Sequence, residues 1–245
     1  MADNQKRQGK RQGQSSPEPK RINDPFRLAH QEGLLRTRVY QYLKHQLSVG
    51  DLEPGAGINM NELIRDLGVS RTPLREALLK LQMEGFVTIL PQRGIIINRL
   101  TLKDVLEIYE ILGALESRVL LSVFDDLQKD DMLMMEAVNK SMTAAMHRQN
   151  YSKFFDYNNE FHETILRMSD NKNLLNYVHL LKDRLYYFPH LVYGKEWAEE
   201  NVREHGELLA LIKKGQKMKA VNYLRDVHWK FQHADDFLAA TGEAP

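Results

Sequence analysis

One short run constrains the fold of this 245-residue chain more than any other, V-S-R-T-P-L-R-E-A-L-L-K-L at 69–81. Ser70 or Thr72 can cap the start of a helix there, and Pro73 suits a first helical turn because a proline has no N–H to leave unpaired. Beyond the proline, apolar residues recur at three- and four-residue steps, as on the buried face of a helix: Leu74, Ala77, Leu78 and Leu81. The run therefore predicts a short helix with one face packed inward and a cationic first turn.

The exposed side of that helix carries Arg71, Thr72 and Arg75 near its N-terminal end. An arginine fork can reach O6 and N7 of guanine in the major groove of DNA, and a helix N-terminus favours a nearby phosphate. An ordinary surface helix can also carry two arginines, so the interpretation depends on the segments on either side.

The upstream segment predicts a second short helix at 59–67. Asn59 and Glu62 have the spacing of a capping box, and Gly68 stands where this helix should end. Helix, tight turn and helix then fit within about twenty-five residues, which is typical of a helix-turn-helix.

The downstream segment predicts a β-hairpin. Residues 87–90 and 95–98 have the composition of strands, and P-Q-R-G at 91–94 has that of a turn. The tip of such a hairpin can lie along the minor groove as a wing. Together the two flanks favour a DNA-reading module over an ordinary surface helix.

Residues 34–99 resemble the winged helix-turn-helix of the GntR family of bacterial transcription regulators. The pieces that carry the resemblance are L-E-P-G at 52–55, E-L-I-R-D-L-G-V-S-R-T-P-L-R-E-A-L at 62–78, L-Q-M-E-G at 81–85 and P-Q-R-G at 91–94. The resemblance implies operator contacts from Arg71, Thr72, Arg75, Gln92, Arg93 and Gly94. We expect Ser70 to help position the DNA backbone. Asn61 departs from the pattern, because the fatty-acid-responsive member has an operator-contacting arginine at that position.

Charge divides the chain in two. Residues 1–99 carry 16 Lys and Arg against 10 Asp and Glu, whereas residues 100–245 carry 18 against 23. A basic N-terminal part joined to an acidic C-terminal part fits a DNA-binding module followed by a domain of another purpose. The chain has no cysteine, no apolar run near the ~20 residues of a membrane span and no signal-peptide pattern, so we expect a cytoplasmic protein.

Three regions are expected. Residues 1–27 are polar and basic and should be disordered, residues 28–99 form the winged DNA-binding domain, and residues 100–240 form an all-helical effector-binding and dimerisation domain. Thr101 and Asp104 have capping-box spacing at the head of the last region. Six helices are expected there: 101–126, 130–149, 151–169, 171–189, 195–214 and 216–239. The predicted fold is mainly α, a winged helix-turn-helix with a small β-hairpin wing followed by a six-helix bundle.

Three histidines occupy inward faces of three different predicted helices: His162, His205 and His228. A single buried histidine is more often a hydrogen-bonded core residue than a ligand. Three of them could instead share one divalent metal ion through their imidazole nitrogens. Asn158 lies one helical turn before His162, so its side-chain oxygen could join the same ion.

Residues 101–239 resemble the helical effector-binding FCD domain of the FadR-type branch of the same family. The resemblance implies a Zn, Ni or similar ion held by an Asp and a His four residues apart and by two further histidines. The matching residues are Asn158, His162, His205 and His228. Asn158 replaces the usual Asp, which removes one negative charge and should weaken the site or change its choice of metal.

The effector is less constrained. Members that sense small carboxylates often have an arginine four residues before the glutamate that matches Glu116, and here that position is Leu112. A carboxylate effector would then depend on the metal or on one of three arginines: Arg118, Arg184 and Arg203. The aromatic cluster near Tyr187 could line its pocket.

The hypothesis is a homodimeric transcription regulator, a repressor, that reads an inverted-repeat operator and responds to a small molecule. Two alternatives within this class are a metal-responsive regulator and a metal-free pocket for a less polar ligand. A hydrolytic zinc enzyme is the rival of a different class. It lacks a well-placed general base, because Glu160 and Glu163 are expected to face solvent.

Overall fold

The computed structural model describes residues 32–186 and 194–242 of the chain. The predicted tail at 1–27 lies outside the described residues. The N-terminal part, which we call the winged module, contains three helices and three short strands: α1 Glu32–Val49, β1 Gly57–Ile58, α2 Met60–Leu67, α3 Arg71–Met83, β2 Val87–Leu90 and β3 Gly94–Ile97.

The helix-turn-helix forms where its capping and helix-ending residues predict. Asn59 Oδ1 accepts the backbone N–H groups of Asn61 and Glu62 at 3.0 and 3.3 Å, and Gly68 ends α2 with a left-handed φ of 63°. Ser70 is the N-cap of α3, although its side chain makes no capping hydrogen bond. The predicted apolar stripe of α3 is buried against α1: Leu74, Ala77, Leu78 and Leu81.

The wing is a three-stranded antiparallel sheet of order β1-β3-β2. Strands β2 and β3 pair from Val87 opposite Ile97 to Leu90 opposite Gly94. Strand β1 was not predicted, because a two-residue strand has no alternation of apolar and polar residues to recognise. The turn between β2 and β3 holds Gln92 at φ 58°, so a non-glycine residue is left-handed at the wing tip.

The second part of the chain, which we call the helical module, has its described residues at 102–186 and 194–242 and contributes the remaining buried apolar side chains. Its described part contains seven α-helices, a 3₁₀ turn at Phe124–Asp126 and a π-helical turn at Leu224–His228: α4 Leu102–Val123, α5 Lys129–His147, α6 Tyr151–Leu166, α7 Lys172–Tyr186, α8 Lys195–Lys213, α9 Lys217–Tyr223 and α10 Ala234–Thr241. The capping box of Thr101 and Asp104 is present at the start of α4. Among the described helices, none combines the length and apolar character that crossing a bilayer requires.

The mainly α fold class is confirmed, but the last predicted helix, 216–239, is not one helix. It divides into α9, the π-helical turn and α10, with an irregular stretch at 229–233 between the last two. A π turn adds one residue to a helical turn, and such turns are frequent at functional sites. As a result His228 and Trp229, which are neighbours in sequence, are both buried against α4 and α6.

Candidate functional site

The winged module presents every residue predicted to contact DNA at its surface. All seven are exposed, at the start of α3 and at the tip of the β2–β3 turn: Ser70, Arg71, Thr72, Arg75, Gln92, Arg93 and Gly94. A cationic helix start and an exposed hairpin tip are the two elements that a winged helix-turn-helix presents to DNA.

Asn61 contributes to this surface in a way that the sequence did not indicate. Its Oδ1 accepts a hydrogen bond of 3.1 Å from Nη2 of Arg71. Asn61 therefore holds the guanidinium of a predicted DNA-contacting arginine from the facing helix.

The helical module brings the three predicted histidines together. His162 on α6, His205 on α8 and His228 on the π turn are all buried, with at most 6% of their surface exposed. Nε2 of His162 lies 3.3 Å from Nε2 of His205 and 3.2 Å from Nε2 of His228. Potential ligand atoms of the three side chains lie within 4.8 Å of one another, so they face one common point.

Two buried carboxylates hold the outer sides of these imidazoles. Nδ1 of His162 donates to Oε2 of Glu116 at 2.6 Å, and Nδ1 of His228 donates to Oε2 of Glu204 at 3.0 Å. A proton held on Nδ1 leaves the Nε2 lone pair of a neutral imidazole directed at the common point. Carboxylate, histidine and metal arranged in that order are the usual second shell of a metal centre.

Glu116 is shared among several partners. Trp229 Nε1 donates to Oε2 at 3.1 Å, and Lys182 Nζ lies 3.1 Å from Oε1. Burial raises the pKa of the Glu116 carboxyl, but His162 and Lys182 together outweigh burial and hold that pKa well below its usual range. The carboxylate is therefore ionised at neutral pH.

The imidazoles of His162 and His205 are held neutral. Burial lowers the pKa of His162 to about 4, although the charge of Glu116 opposes the shift. Burial, together with the nearby His228 and His162, holds the pKa of His205 well below its ordinary value. Neutral imidazole is the form that binds metals, so His162 and His205 need no deprotonation near pH 7.

Six buried side-chain polar atoms make no hydrogen bond among the described residues, and two of them belong to the predicted metal-binding side chains. One is Oδ1 of Asn158, a side chain whose Nδ2 donates to Tyr186 Oη at 2.9 Å. Nδ1 of His205 is the other, on a ring that stacks on Phe161 at 3.8 Å between centroids. A buried polar atom without a partner costs roughly 1–3 kcal/mol.

These residues fit a divalent ion of the zinc or nickel type. Three convergent imidazole nitrogens are the donors that such ions prefer. The amide oxygen of Asn158, one turn before His162 and buried without a partner, could join them. The arrangement can therefore bind a cation, and the two carboxylates would orient the rings.

A narrow pocket of about 20 Å³ adjoins the histidine centre. Its walls include Asn158, His228, Glu204 and Asn201, and aromatic side chains complete them: Tyr109, Tyr186, Trp197, Trp229 and Phe231. That volume holds about one water molecule, so a larger ligand requires the pocket to open.

The predicted effector-binding residues do not converge on this pocket. Arg118 is exposed and lies two residues, about 200° around α4, from the inward-facing Glu116. Arg184 packs against Gly85 of the winged module, and Tyr187 lies outside the described residues. Arg203 Nη2 lies 3.5 Å from Oε1 of Glu204, which places it at the outer edge of the site.

The charged residues around the histidines were not predicted as part of the site. Glu116 and Lys182 each interrupt an inward-facing apolar stripe, and Glu204 directly precedes His205. A charged residue at a core position was therefore the sequence signal that could have indicated them. The expectation that Glu163 faces solvent was wrong. Only 12% of its side chain is exposed, and it lies 2.9 Å from Nε2 of His179.

A winged helix-turn-helix followed by an all-helical module with a buried polar centre defines a class of two-domain DNA-binding regulators. Residues 35–97 match the family described as bacterial regulatory proteins, gntR family, and residues 107–227 match the FCD domain. The chain belongs to the GntR family of transcription regulators and carries an FCD domain.

Similar proteins agree with that assignment. The HTH-type transcriptional regulator YdhC of Bacillus subtilis is 31% identical over 189 residues, covering 76% of this chain and 84% of that protein. The HTH-type transcriptional repressor RspR of Escherichia coli is 25% identical over 182 residues, covering 72% and 78%. A crystal structure of a GntR regulator from Rhodococcus sp. RHA1 has the same fold, with a TM-score of 0.65 at 17% identity over 86% of this chain and 99% of that one. The family consists of regulators rather than enzymes, which removes the hydrolytic alternative.

Proposed function

We propose that this protein is a homodimeric transcriptional repressor whose operator affinity is set by a small anionic metabolite bound beside a divalent metal ion. The observation that carries the proposal is the convergence of three Nε2 atoms, two of them on rings backed by carboxylates, in a chain whose other module reads DNA. The relative RspR is a transcriptional repressor, which supports the direction of regulation.

The winged modules of the dimer would bind the two half-sites of an inverted repeat, because a two-fold protein reads a two-fold site. Arg71 and Arg75 would read bases, each worth about 1–3 kcal/mol of discrimination for a well-formed bidentate pair. Two polar side chains, Ser70 and Thr72, would contact the DNA backbone together with the wing tip, which would also contact the minor groove.

His162, His205 and His228 would hold the ion, with Asn158 as a fourth donor. The ion would supply a positive charge that attracts an anionic group of the effector. The protein's own charges support an anion as the ligand. A dication, the two carboxylates of Glu116 and Glu204 and the ammonium of Lys182 leave one positive charge in a buried region, and buried charge requires a counter-charge.

The pocket adjoining Asn158 and His228 is where such an effector would bind. Its outer wall includes the irregular stretch 230–233, and Nε2 of His233 lies 2.8 Å from Oε2 of Glu200. Opening this stretch would admit a ligand. The ligand would then shift operator binding only by its differential affinity for the two arrangements.

Two alternatives each have one observation in their favour. A metal-responsive regulator is favoured by Asn158, because a neutral donor in place of a carboxylate makes a site that fills and empties more readily. A metal-free pocket for a less polar ligand is favoured by the aromatic walls that Tyr109, Trp197 and Trp229 form.

Elemental analysis of the purified protein and a thermal-shift screen of small organic acids, with and without chelator, test the proposal. A near-stoichiometric metal and a stabilisation that chelator abolishes are expected; a ligand at 100 times its Kd stabilises by about 2.7 kcal/mol. The His205→Ala variant should lose the metal, whereas His147→Ala, on an exposed side chain of α5, should keep it. Stabilisation by a neutral aromatic compound without metal would support the second alternative instead.

A further inference from the structure

The last turn of α7 contacts the histidine centre. Lys182 Nζ lies 3.1 Å from Oε1 of Glu116, whose other oxygen accepts from His162. One turn further on, Tyr186 Oη accepts from Asn158 Nδ2 at 2.9 Å. Two side chains of one helical turn therefore reach partners on both sides of the centre.

The same turn contacts the winged module through the residues in between. Asp183 pairs with Lys44 of α1, a buried lysine whose Nζ lies 5.1 Å from the centre of the Phe86 ring. The Arg184 guanidinium packs over Gly85, which has a φ of +82° in the turn that ends α3, and a Cβ built on Gly85 would lie only 3.2 Å from Nε of Arg184.

Helix α1 in turn contacts the DNA-reading helix. Tyr40 Oη donates to Glu84 at the end of α3 at 2.6 Å, and Val39 and Leu43 belong to the same buried cluster as Leu78. A displacement of Lys44 or of the turn at Gly85 would therefore displace α1 and the end of α3.

We propose that residues 182–186 of α7 transmit occupancy of the histidine centre to the winged module, and that Lys182 is the positioning residue that starts the transmission. This inference rests on the proposed function. With a divalent cation held by the three Nε2 atoms, Lys182 would lie near added positive charge, and repulsion between buried charges is strong because the dielectric is low. The Nδ1–H of His162 would become more acidic and would bind Glu116 more strongly. Both effects would loosen Lys182 from Glu116.

Asp183 and Arg184 follow Lys182 because a helical turn moves as a unit. An anion bound beside the ion would cancel the excess charge and return Lys182 to Glu116. Stability offers a weak reason for this buried pair, since an apolar residue in place of such a pair is often neutral or stabilising. Coupling between the two modules explains why a lysine occupies an inward position of α7.

Hydrogen exchange of the full-length protein, with zinc chloride or with chelator, tests the inference. The decisive variant is Lys182→Met, which keeps an unbranched side chain, one atom shorter, and removes its charge. Lys172→Met is the matched control, because it makes the same change at an exposed position of the same helix. Asp183→Asn removes the charge that pairs with Lys44, at the position after Lys182, and leaves the side chains of the histidine centre unchanged.

In the wild type and in Lys172→Met, we expect zinc to slow exchange around the three histidines. We also expect zinc to change exchange in α1 by about fivefold or more, the lower end of typical coupling. In Lys182→Met and Asp183→Asn, zinc should still slow exchange around the histidines, whereas the change in α1 should be lost. Should Lys182→Met fail to fold, Asp183→Asn alone carries the test.

The outcomes separate the two proposals. An unchanged response of α1 in both coupling variants, or zinc binding by the wild type without a response in α1, overturns the transmission through α7. A wild type that does not bind zinc, seen as no protection around the histidines, overturns the metal centre and with it the inference.

Discussion

At the scale of single residues, this chain places charge where apolar side chains are expected. Glu116, Lys182 and Glu204 have at most 3% of their surface exposed, and each partners another charge or an imidazole. Removing one member of such a group leaves its partner buried and uncompensated, which typically costs about 3–5 kcal/mol. A variant at one of these three positions can therefore cost the fold, so Lys182→Met is compared with Asp183→Asn, whose side chain is 42% exposed.

Replacing Arg75 by alanine should weaken specific DNA binding by about 1–3 kcal/mol, because a base-reading fork would be lost. The side chain is exposed on α3, so the fold should remain intact. A fluorescence titration against operator and scrambled DNA measures the effect. Arg148→Ala, an exposed arginine of the helical module, is the control. Equal operator affinity of wild type and Arg75→Ala would refute the assignment.

Replacing Asn158 by aspartate should tighten divalent-metal binding, because a carboxylate adds negative charge next to the ion. We expect a gain of about tenfold, the lower end of what partners of a metal site contribute. Isothermal calorimetry with zinc and nickel measures it. Asn159→Asp makes the same change at the neighbouring position of α6. Equal or weaker affinity in Asn158→Asp would place residue 158 outside the coordination sphere.

At the scale of elements, the π-helical turn at 224–228 decides the geometry of the centre. It turns His228 toward His162 and lets Trp229 reach Glu116 from the next position. The turn lies so close to α4 that a Cβ on Gly113 would be 3.0 Å from Cβ of Trp229 and 3.1 Å from the carbonyl oxygen of Arg225. Glycine at 113 is therefore required by close approach.

Gly113→Ala should destabilise the fold by about 1–3 kcal/mol, because overpacking forces the π turn away from α4. Gly206 is the contrasting position, in the middle of α8, where a Cβ would meet only Nδ2 of Asn139 at 3.8 Å. Gly206→Ala should stabilise by about 0.5–1 kcal/mol, the helical penalty of glycine. Urea unfolding followed by circular dichroism compares the two. A stabilised Gly113→Ala would show that the two elements do not touch so closely.

At the scale of the whole molecule, the histidine centre joins elements that are distant in sequence, and it ties folding to pH. His162, with a pKa lowered to about 4 by burial, has an ordinary unfolded value near 6.5. Between these two values the unfolded chain binds a proton that the folded chain does not. Folding stability is therefore fully present above about pH 6.5 and is lost as the pH falls toward 4.

The chelator-treated protein should accordingly lose up to about 1.4 kcal/mol of unfolding free energy per pH unit for each such histidine. His205 acts in the same direction. Urea unfolding at several pH values between 7 and 5 measures the slope, and His162→Gln should reduce it. A free energy that stays constant over this range would mean that the imidazoles are not held neutral in the folded state.

Local chemistry explains why so much of the fold was predictable. The apolar spacing of α3, the caps at Asn59 and Thr101 and the stop at Gly68 act within a few residues, so their helices follow from neighbouring side chains alone. The inward faces of His162, His205 and His228 follow from helical periodicity in the same way. Sequence therefore determined the winged helix-turn-helix, the helical character of the remainder and the histidines as one group.

Tertiary structure decided which partners these residues meet. The bond from His162 to Glu116 spans 46 residues, and periodicity says nothing about contacts between helices. The same reason explains why Lys182 and the pairing of Asp183 with Lys44 went unpredicted, and why Arg118 and Arg184 turned out to lie away from the centre. The break of the last helix at 224–233 also depends on packing against α4, because no proline interrupts those residues. Side-chain spacing along a helix determines which face is buried, and only the assembled bundle determines what that face touches.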